Sequence, residues 1–293
     1  MEQHSVQLGT VRYKDYISNQ LLQLRDREAL PISLEEYKQG KRWLINCCFE
    51  IPSDTPVGEH KTVERIHSYY LANALADIIL RHWEKDYLKR TLQKKHRLKK
   101  DECASILNKA VLYLNNGVGQ SAYYKINRKT GLVNQILTCF EDGILFDVEG
   151  FLRFRANEYK NDLEKAVSYA VDEYVLEKEY FEFINLLKHF VDSQTPKLDT
   201  LHVGINSLGK FNLFNDLGKR ITSQYLDDYS LGDTSGEFSY EDLLVSALIA
   251  VAPRQIVLHI RYEGYQDTLH TIRQIFEGRV SYCTGSCNIC KNV

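Results

Sequence analysis

The chain has few residues that interrupt regular secondary structure. Its 293 residues include only 5 prolines and 16 glycines, which leaves little room for long disordered linkers. No stretch approaches the roughly 18 apolar residues that a membrane-spanning helix needs. The first residues also lack the basic segment and apolar run of a signal peptide. We therefore expect a cytoplasmic protein without a membrane span.

The charge and the cysteine content narrow the class of protein further. A net charge of −2 argues against a nucleic-acid-binding surface that involves the whole protein, although it permits a local basic patch. Hydrophobic residues at 44% and charged residues at 26% are usual for a globular protein. The 7 cysteines are odd in number, which indicates reduced thiols and not a disulfide framework.

The order of helical and strand-like patterns predicts an α+β fold in three parts. Residues 1–56 are predicted to form a small α/β unit and residues 57–195 a helical domain. Residues 196–293 are predicted to form an α/β domain with a short mixed sheet and a Cys-rich tail. This last part begins with a predicted hairpin and continues with helix, strand, helix and strand. Its strand–helix–strand order implies a parallel pair with a right-handed crossover.

The helical domain contains a segment that we predict to be one long helix over about residues 150–194. No Gly or Pro interrupts it between Phe151 and Thr195. Its apolar residues recur mostly at intervals of three or four, so they should line one face of the helix. These residues are Phe151, Phe154, Leu163, Val167, Ala170, Tyr174, Phe181, Ile184, Leu187 and Val191.

A second long helix is predicted over residues 62–97, and its last part is strongly basic. Nine Lys or Arg and two acidic residues lie between residues 81 and 100, which gives a local charge of +7. This face could bind a polyanion such as a phosphate backbone, or it could be a solvated face that complements the helix dipole. Because no aromatic residue follows Tyr87 in this tract, nucleic-acid binding is the less favoured interpretation. The candidate polyanion-binding residues are Lys85, Lys89, Arg90, Lys94, Lys95 and Arg97.

The clearest chemical signal is a group of three cysteines, Cys283, Cys287 and Cys290, near the end of the chain. Three and two residues separate them, and thiolates at such spacings can converge on one metal ion or one cluster. The group follows the last predicted strand, and ligands of open α/β sheets gather beyond the carboxyl ends of strands. Zinc and an iron–sulfur cluster both suit this pattern. The alternative is a flexible tail whose thiols bind nothing.

Three sulfurs leave a tetrahedral site one ligand short. His259, near the end of the neighbouring predicted strand, is the first candidate for the fourth ligand. The alternatives are His202, Cys139, a water molecule or the same loop of a second subunit, so a homo-oligomer is compatible with this site. The same cysteine spacing occurs in radical-SAM enzymes, but there a long barrel follows it. Only three residues follow Cys290 here, so we do not expect that class of enzyme.

No catalytic motif is found in the rest of the chain. There is no Ser-His-Asp order, no nucleophile elbow and no pair of histidines one helical turn apart. Glu149, Arg153 and Arg155 could bind an anion, or they could pair with the acidic residues that follow them. The single histidines on predicted helices are expected to be surface or core residues, and they are His67, His82, His96 and His189.

Several segments resemble the YtxC-like proteins of spore-forming Firmicutes. The resemblance is carried by Gly150–Arg155, Ala170–Tyr174, Glu177–Ile184 and Leu186–Val191, and by short segments at Ala252-Pro253 and Gly278–Val280. It implies a sporulation-associated protein, but it assigns no catalytic residue, substrate or partner. We therefore expect a non-catalytic scaffold or regulatory protein with a C-terminal thiolate metal site. The alternatives are a nucleic-acid-binding module that uses the basic helix and a metal-dependent enzyme.

Overall fold

The computed structural model describes residues 3–53, 55–96, 98–116, 123–141, 143, 145–206, 211–221, 240–260 and 265–291. The chain divides into two compact units, Met1–Val175 and Leu176–Val293. Each unit combines helices with a small four-stranded sheet, which confirms the α+β class. The predicted boundaries near residues 56 and 195 differ from this division, because the first sheet shares one hydrophobic core with the helices that follow it.

The sheet of the first unit has the strand order β2-β3-β1-β4. Its strands are β1 (Gln3–Thr10), β2 (Ile32–Gln39), β3 (Arg42–Glu50) and β4 (Phe146–Asp147), and helix α1 (Lys14–Glu28) connects β1 to β2. The pairs β1–β3 and β2–β3 are antiparallel, whereas β4 lies parallel to β1. The sequence pattern did not predict β2, because most of its residues are exposed and polar.

The helices of the first unit pack around one core. They are α2 (His60–Ile78), α3 (Glu84–His96), α4 (Lys100–Asn116), α5 (Tyr123–Glu141) and α6 (Val148–Phe154), followed by the first part of α7 (Asn157–Ser193). A π-helical turn, Ile79–Trp83, joins α2 to α3, so the long helix predicted over residues 62–97 contains one wide turn. Within the described residues, no helix is long and apolar enough to cross a membrane.

The single helix predicted over residues 150–194 is two helices in the structure. Helix α6 ends at Phe154, and the next two amides both donate to the carbonyl oxygen of Phe151, at 2.8 and 3.1 Å. This tight turn buries Ala156 completely and leaves Phe154 68% exposed. Because the helix is interrupted after Phe154, the spacing of three and four residues does not continue across the break, and Phe154 does not belong to the buried face that its spacing predicted.

A buried polar network connects four helices of the first unit. The Arg128 guanidinium donates to Glu84 Oε1 at 3.2 Å and also to the carbonyl oxygen of Leu114. The Tyr159 hydroxyl donates to Glu84 Oε2 at 2.6 Å. Burial and the adjacent Glu84 carboxylate hold the pKa of Tyr159 well above its usual value, so this hydroxyl remains a donor. The network therefore joins α3, α4, α5 and α7 through charge-assisted hydrogen bonds.

The second unit is built on a sheet with the order β6-β5-β7-β8. Its elements after α7 are β5 (Thr200–Ile205), β6 (Phe211–Phe214), α8 (Tyr240–Val251), β7 (Gln255–Ile260), α9 (Gln266–Ile275), β8 (Val280–Tyr282) and α10 (Asn288–Lys291). Strands β5 and β6 are antiparallel and β7–β8 are parallel, which confirms the predicted hairpin and the predicted crossover pair. Ile184 and Val191 of α7 belong to the core of this unit, whereas Phe181 is 56% exposed.

Candidate metal centre

Four side chains meet beyond the carboxyl ends of β7 and β8. His259 is the penultimate residue of β7, and Cys283 directly follows β8. The Cys283 amide donates to a carbonyl oxygen of β7 at 3.0 Å, which extends the parallel ladder to the site. The chain then turns at Gly285, whose φ of +90° is rarely adopted by other residues, and α10 brings Cys290 back beside Cys287. The sheet and this turn therefore position all four side chains.

The possible ligand atoms lie close enough together to surround one ion. The Sγ atoms of Cys283, Cys287 and Cys290 are 3.5–3.6 Å from one another. The Nδ1 atom of His259 lies 3.2 Å from the Cys290 sulfur and 3.3 Å from the Cys287 sulfur. All four ligand atoms are within 4.8 Å of one another. The arrangement is a compact set of one nitrogen and three sulfurs.

This geometry suits a single tetrahedral ion better than a cluster. With Zn–S bonds of about 2.3 Å, the sulfurs of a tetrahedral zinc site lie about 3.8 Å apart, close to the observed separations. In a [4Fe–4S] cluster each cysteine binds a different iron, and in a [2Fe–2S] cluster only two cysteines share one iron, so three cysteines of either cluster cannot all lie as close together as on one ion. A donor set of three thiolates and one imidazole is also a common one for zinc.

Without an ion, the electrostatics of the site favour one thiolate and a neutral imidazole but oppose a second thiolate. Burial tends to raise the pKa of Cys287, but the Cys290 amide at 3.4 Å and the neighbouring thiols outweigh it, so the pKa is lowered. Burial and the neighbouring sulfurs raise the pKa of Cys290 to about 11. Burial and the nearby His202 lower the pKa of His259, which keeps the imidazole neutral, the form that binds metals. A bound cation would offset the mutual repulsion of the three thiolates.

His202 lies behind His259 and orients it. In the register of β5 and β7, His202 is opposite Val257, so His202 and His259 share one face of the sheet. The His202 Nδ1 atom is 3.0 Å from the Nε2 atom of His259, on the side away from the sulfurs. Of the alternatives His259 and His202, only His259 therefore lies against the sulfurs. If His259 Nδ1 held an ion, its Nε2 would carry the proton and donate a hydrogen bond to Nδ1 of His202.

Replacing His202 by Ala is expected to weaken metal binding by about 10- to 100-fold, the usual effect of losing a hydrogen-bond partner of a ligating histidine. Without His202, no hydrogen bond to Nε2 fixes the orientation of the His259 ring or determines which ring nitrogen carries the proton. Competition with a chromophoric zinc chelator measures the change. His270→Ala, an exposed histidine on α9, is the matched control and should leave the affinity unchanged. Equal affinities of the two variants would show that His202 has no such role.

The other cysteines do not join this site. Cys139 lies in the first unit, where its sulfur is 3.6 Å from the Arg155 guanidinium. Cys47 and Cys48 are adjacent on β3 and therefore point to opposite faces, and burial raises the pKa of Cys47 to about 12. Among the residues that the structure describes, only His259 and the three C-terminal cysteines form a group of this kind that could hold a metal.

None of the described single histidines on helices belongs to this group of four residues. His67 is buried and stacks on Phe49 with ring centroids 4.5 Å apart, and His82 stacks on Tyr16 at 3.8 Å. His189 is exposed, and the His96 side chain lies outside the described part of the chain. Ring stacking therefore accounts for the positions of His67 and His82, and His189 is a surface residue.

The basic helix remains a predicted polyanion surface. Lys85, Lys89, Arg90 and Lys94 are exposed on α3. The side chain of Lys95 and the whole of Arg97 lie outside the described residues. The exposed positions are compatible with either interpretation of this face, a polyanion surface or a solvated helix.

Comparison with known proteins identifies the family. The model of the YtxC-like family matches residues 69–281, more than half of the chain. The chain belongs to the YtxC-like family. The match includes His202 and His259 and ends at Ser281, two residues before Cys283. The three cysteines therefore lie beyond the part that the family model matches.

One curated relative shares part of this sequence. The uncharacterized protein YtxC of Bacillus subtilis (strain 168) is 28% identical over 159 residues, 53% of this chain and 54% of the relative. The matched region thus spans about half the length of each protein. No solved structure matches the chain.

Proposed function

We propose that this protein is a non-catalytic, sporulation-associated cytoplasmic protein that holds one zinc ion through His259, Cys283, Cys287 and Cys290. The ion would attach the C-terminal residues to the sheet of the second unit and so form a rigid end. The observation that carries the metal site is the mutual approach of one imidazole nitrogen and three sulfurs. The sporulation setting rests on the resemblance to YtxC-like proteins, and the seven free thiols support a reducing compartment.

A structural role for the ion fits the ligand set better than a catalytic one. Structural zinc sites use four protein ligands, whereas catalytic sites keep one position for water or substrate. Here His259 and the three cysteines supply four ligands from the protein. A zinc ion held in this way has no position at which to activate water, so we favour a scaffold or regulatory role over a metal-dependent enzyme.

Metal analysis of the full chain, purified without oxygen, tests this proposal. We expect about one equivalent of zinc per chain and no visible absorption, since zinc(II) has a filled d shell. Less than about a tenth of an equivalent of any metal after incubation with zinc would overturn the metal site. The presence of iron and sulfide together with visible absorption would indicate an iron–sulfur cluster instead of zinc.

A further inference from the structure

A second candidate site lies in the first unit, far along the sequence from the cysteines. A cavity of about 550 Å³ is bounded by the turn between β1 and α1, by α3 and α6, and by the start of α7. This volume falls within the range of about 300–1,000 Å³ that small-molecule sites occupy. The size of the cavity therefore permits a metabolite-sized ligand.

The cavity is lined by more positive than negative charge. Arg12, Arg90, Arg153 and Lys160 line it, and Glu149 is the one acidic residue among its described lining residues. Among the described residues, none of the three arginines forms an ion pair with a carboxylate. All three arginines are exposed. Arg90 Nε donates to the carbonyl oxygen of Asp86 at 3.1 Å, and the Arg153 guanidinium lies over the Phe154 ring, so neither is neutralised by these contacts.

Glu149 is engaged in holding the turn that carries Arg12. Its Oε1 atom accepts hydrogen bonds from the Thr10 hydroxyl at 2.9 Å and from the amides of Val11 and Arg12 at 3.0 Å. These donors stabilise the carboxylate and fix the backbone at Arg12. The carboxylate thus positions Arg12, and the four cations and one carboxylate of the lining leave a net charge of +3 to attract an anion.

One wall of the cavity is aromatic and apolar. Trp83 and Tyr87 stack with ring centroids 4.7 Å apart, and Tyr13 and Leu152 complete this wall. Burial and the Glu164 carboxylate raise the pKa of Tyr87 to about 12, so its hydroxyl stays neutral. Guanidinium groups recognise phosphate through paired N–H donors, and an apolar wall can cover an organic group. Together these features suit a phosphate ester better than free phosphate.

We propose that this cavity binds a phosphorylated small molecule of mononucleotide size. The phosphate would lie against Arg12, Arg90 and Arg153, and the organic part against the aromatic wall. We favour a small molecule over nucleic acid because the exposed lysines of α3 (Lys85, Lys89 and Lys94) do not line the cavity. The proposal is independent of the zinc site, which lies in the other unit.

Isothermal titration of the full chain with AMP tests the proposal, with adenosine and inorganic phosphate as comparison ligands. AMP should bind more tightly than either, since only AMP engages both the arginines and the apolar wall. The double variant R90Q/R153Q should weaken AMP binding by about tenfold or more through loss of charge-assisted hydrogen bonds. The control K89Q/K94Q removes the same charge from exposed positions of α3 outside the cavity, and we expect less than about a twofold change.

Three results would overturn the proposal. The first is no binding of AMP at millimolar concentration. The second is an equal loss of AMP affinity in both double variants, which would indicate only long-range electrostatic attraction by the basic helix. The third is binding of a single-stranded RNA oligomer but not of AMP, with equal weakening by both variants. If R90Q/R153Q does not fold by circular dichroism, Arg12→Gln carries the same expectation, because this side chain lies on a separate element.

Discussion

Replacing Cys290 by Ser is expected to remove most of the bound zinc and to loosen the C-terminal end of the second unit. Cys290 is 3% exposed, and its sulfur contacts His259, Cys283 and Cys287. A serine hydroxyl cannot replace the thiolate, since zinc in proteins is bound by sulfur, nitrogen or carboxylate oxygen. After dialysis against a chelator, we expect less than about a tenth of an equivalent of zinc, against about one equivalent in the unchanged protein.

The loss of zinc should be accompanied by faster amide exchange in β8 and α10. Structural zinc contributes its binding energy to the folded state, about 10–16 kcal/mol in isolated zinc-finger peptides, and the part coupled to this end of the chain would be lost. Hydrogen exchange measured by mass spectrometry reports this change for each segment. Cys103→Ser, a half-buried cysteine on α4 in the first unit, is the control and should retain its zinc. Full zinc retention in Cys290→Ser would refute this site.

Replacing Arg128 by Met is expected to lower the free energy of unfolding of the first unit by about 3–5 kcal/mol. The side chains of Arg128 and Glu84 are only 4% and 8% exposed, so the substitution leaves the buried Glu84 carboxylate without its positively charged partner. It also removes the donor to the carbonyl oxygen of Leu114. Both tryptophans, Trp43 and Trp83, lie in this unit, so urea unfolding followed by tryptophan fluorescence measures the effect.

The neighbouring residue provides the control for this experiment. Lys129 pairs with Asp77 at 2.8 Å, but the two side chains are 31% and 23% exposed. Lys129→Met should cost about 1 kcal/mol or less, because partly solvated ion pairs contribute little. The double variant Glu84→Gln/Arg128→Met should recover part of the loss, since it buries no charge and keeps an acceptor for Tyr159. A cost for Arg128→Met no larger than that for Lys129→Met would contradict the importance of the network.

The break before α7 illustrates a limit of local sequence patterns. The segment around Arg155 and Ala156 contains neither Gly nor Pro, so nothing in its composition predicts an end to the helix. The structure ends α6 there through two hydrogen bonds to Phe151 and the complete burial of Ala156. The break depends on how neighbouring elements pack, and the periodicity of apolar residues does not contain that information.

The features that depend on near neighbours along the chain could be predicted from the amino-acid sequence. Periodicity predicted most helices and strands, and the spacing of Cys283, Cys287 and Cys290 predicted their convergence, because one short loop holds all three. The strand–helix–strand order also placed that loop at the carboxyl edge of a sheet, where the structure has it.

Which distant residues lie close to one another follows from the tertiary structure. His259 lies beside the three sulfurs, with His202 on its other nitrogen, because of the register of β5 and β7 and the direction of each imidazole. The gathering of Arg12, Arg90 and Arg153 around one cavity likewise requires three separate elements to pack together. Side chains that are far apart in the chain meet only through long-range packing. Periodicity and spacing, by contrast, describe only local geometry.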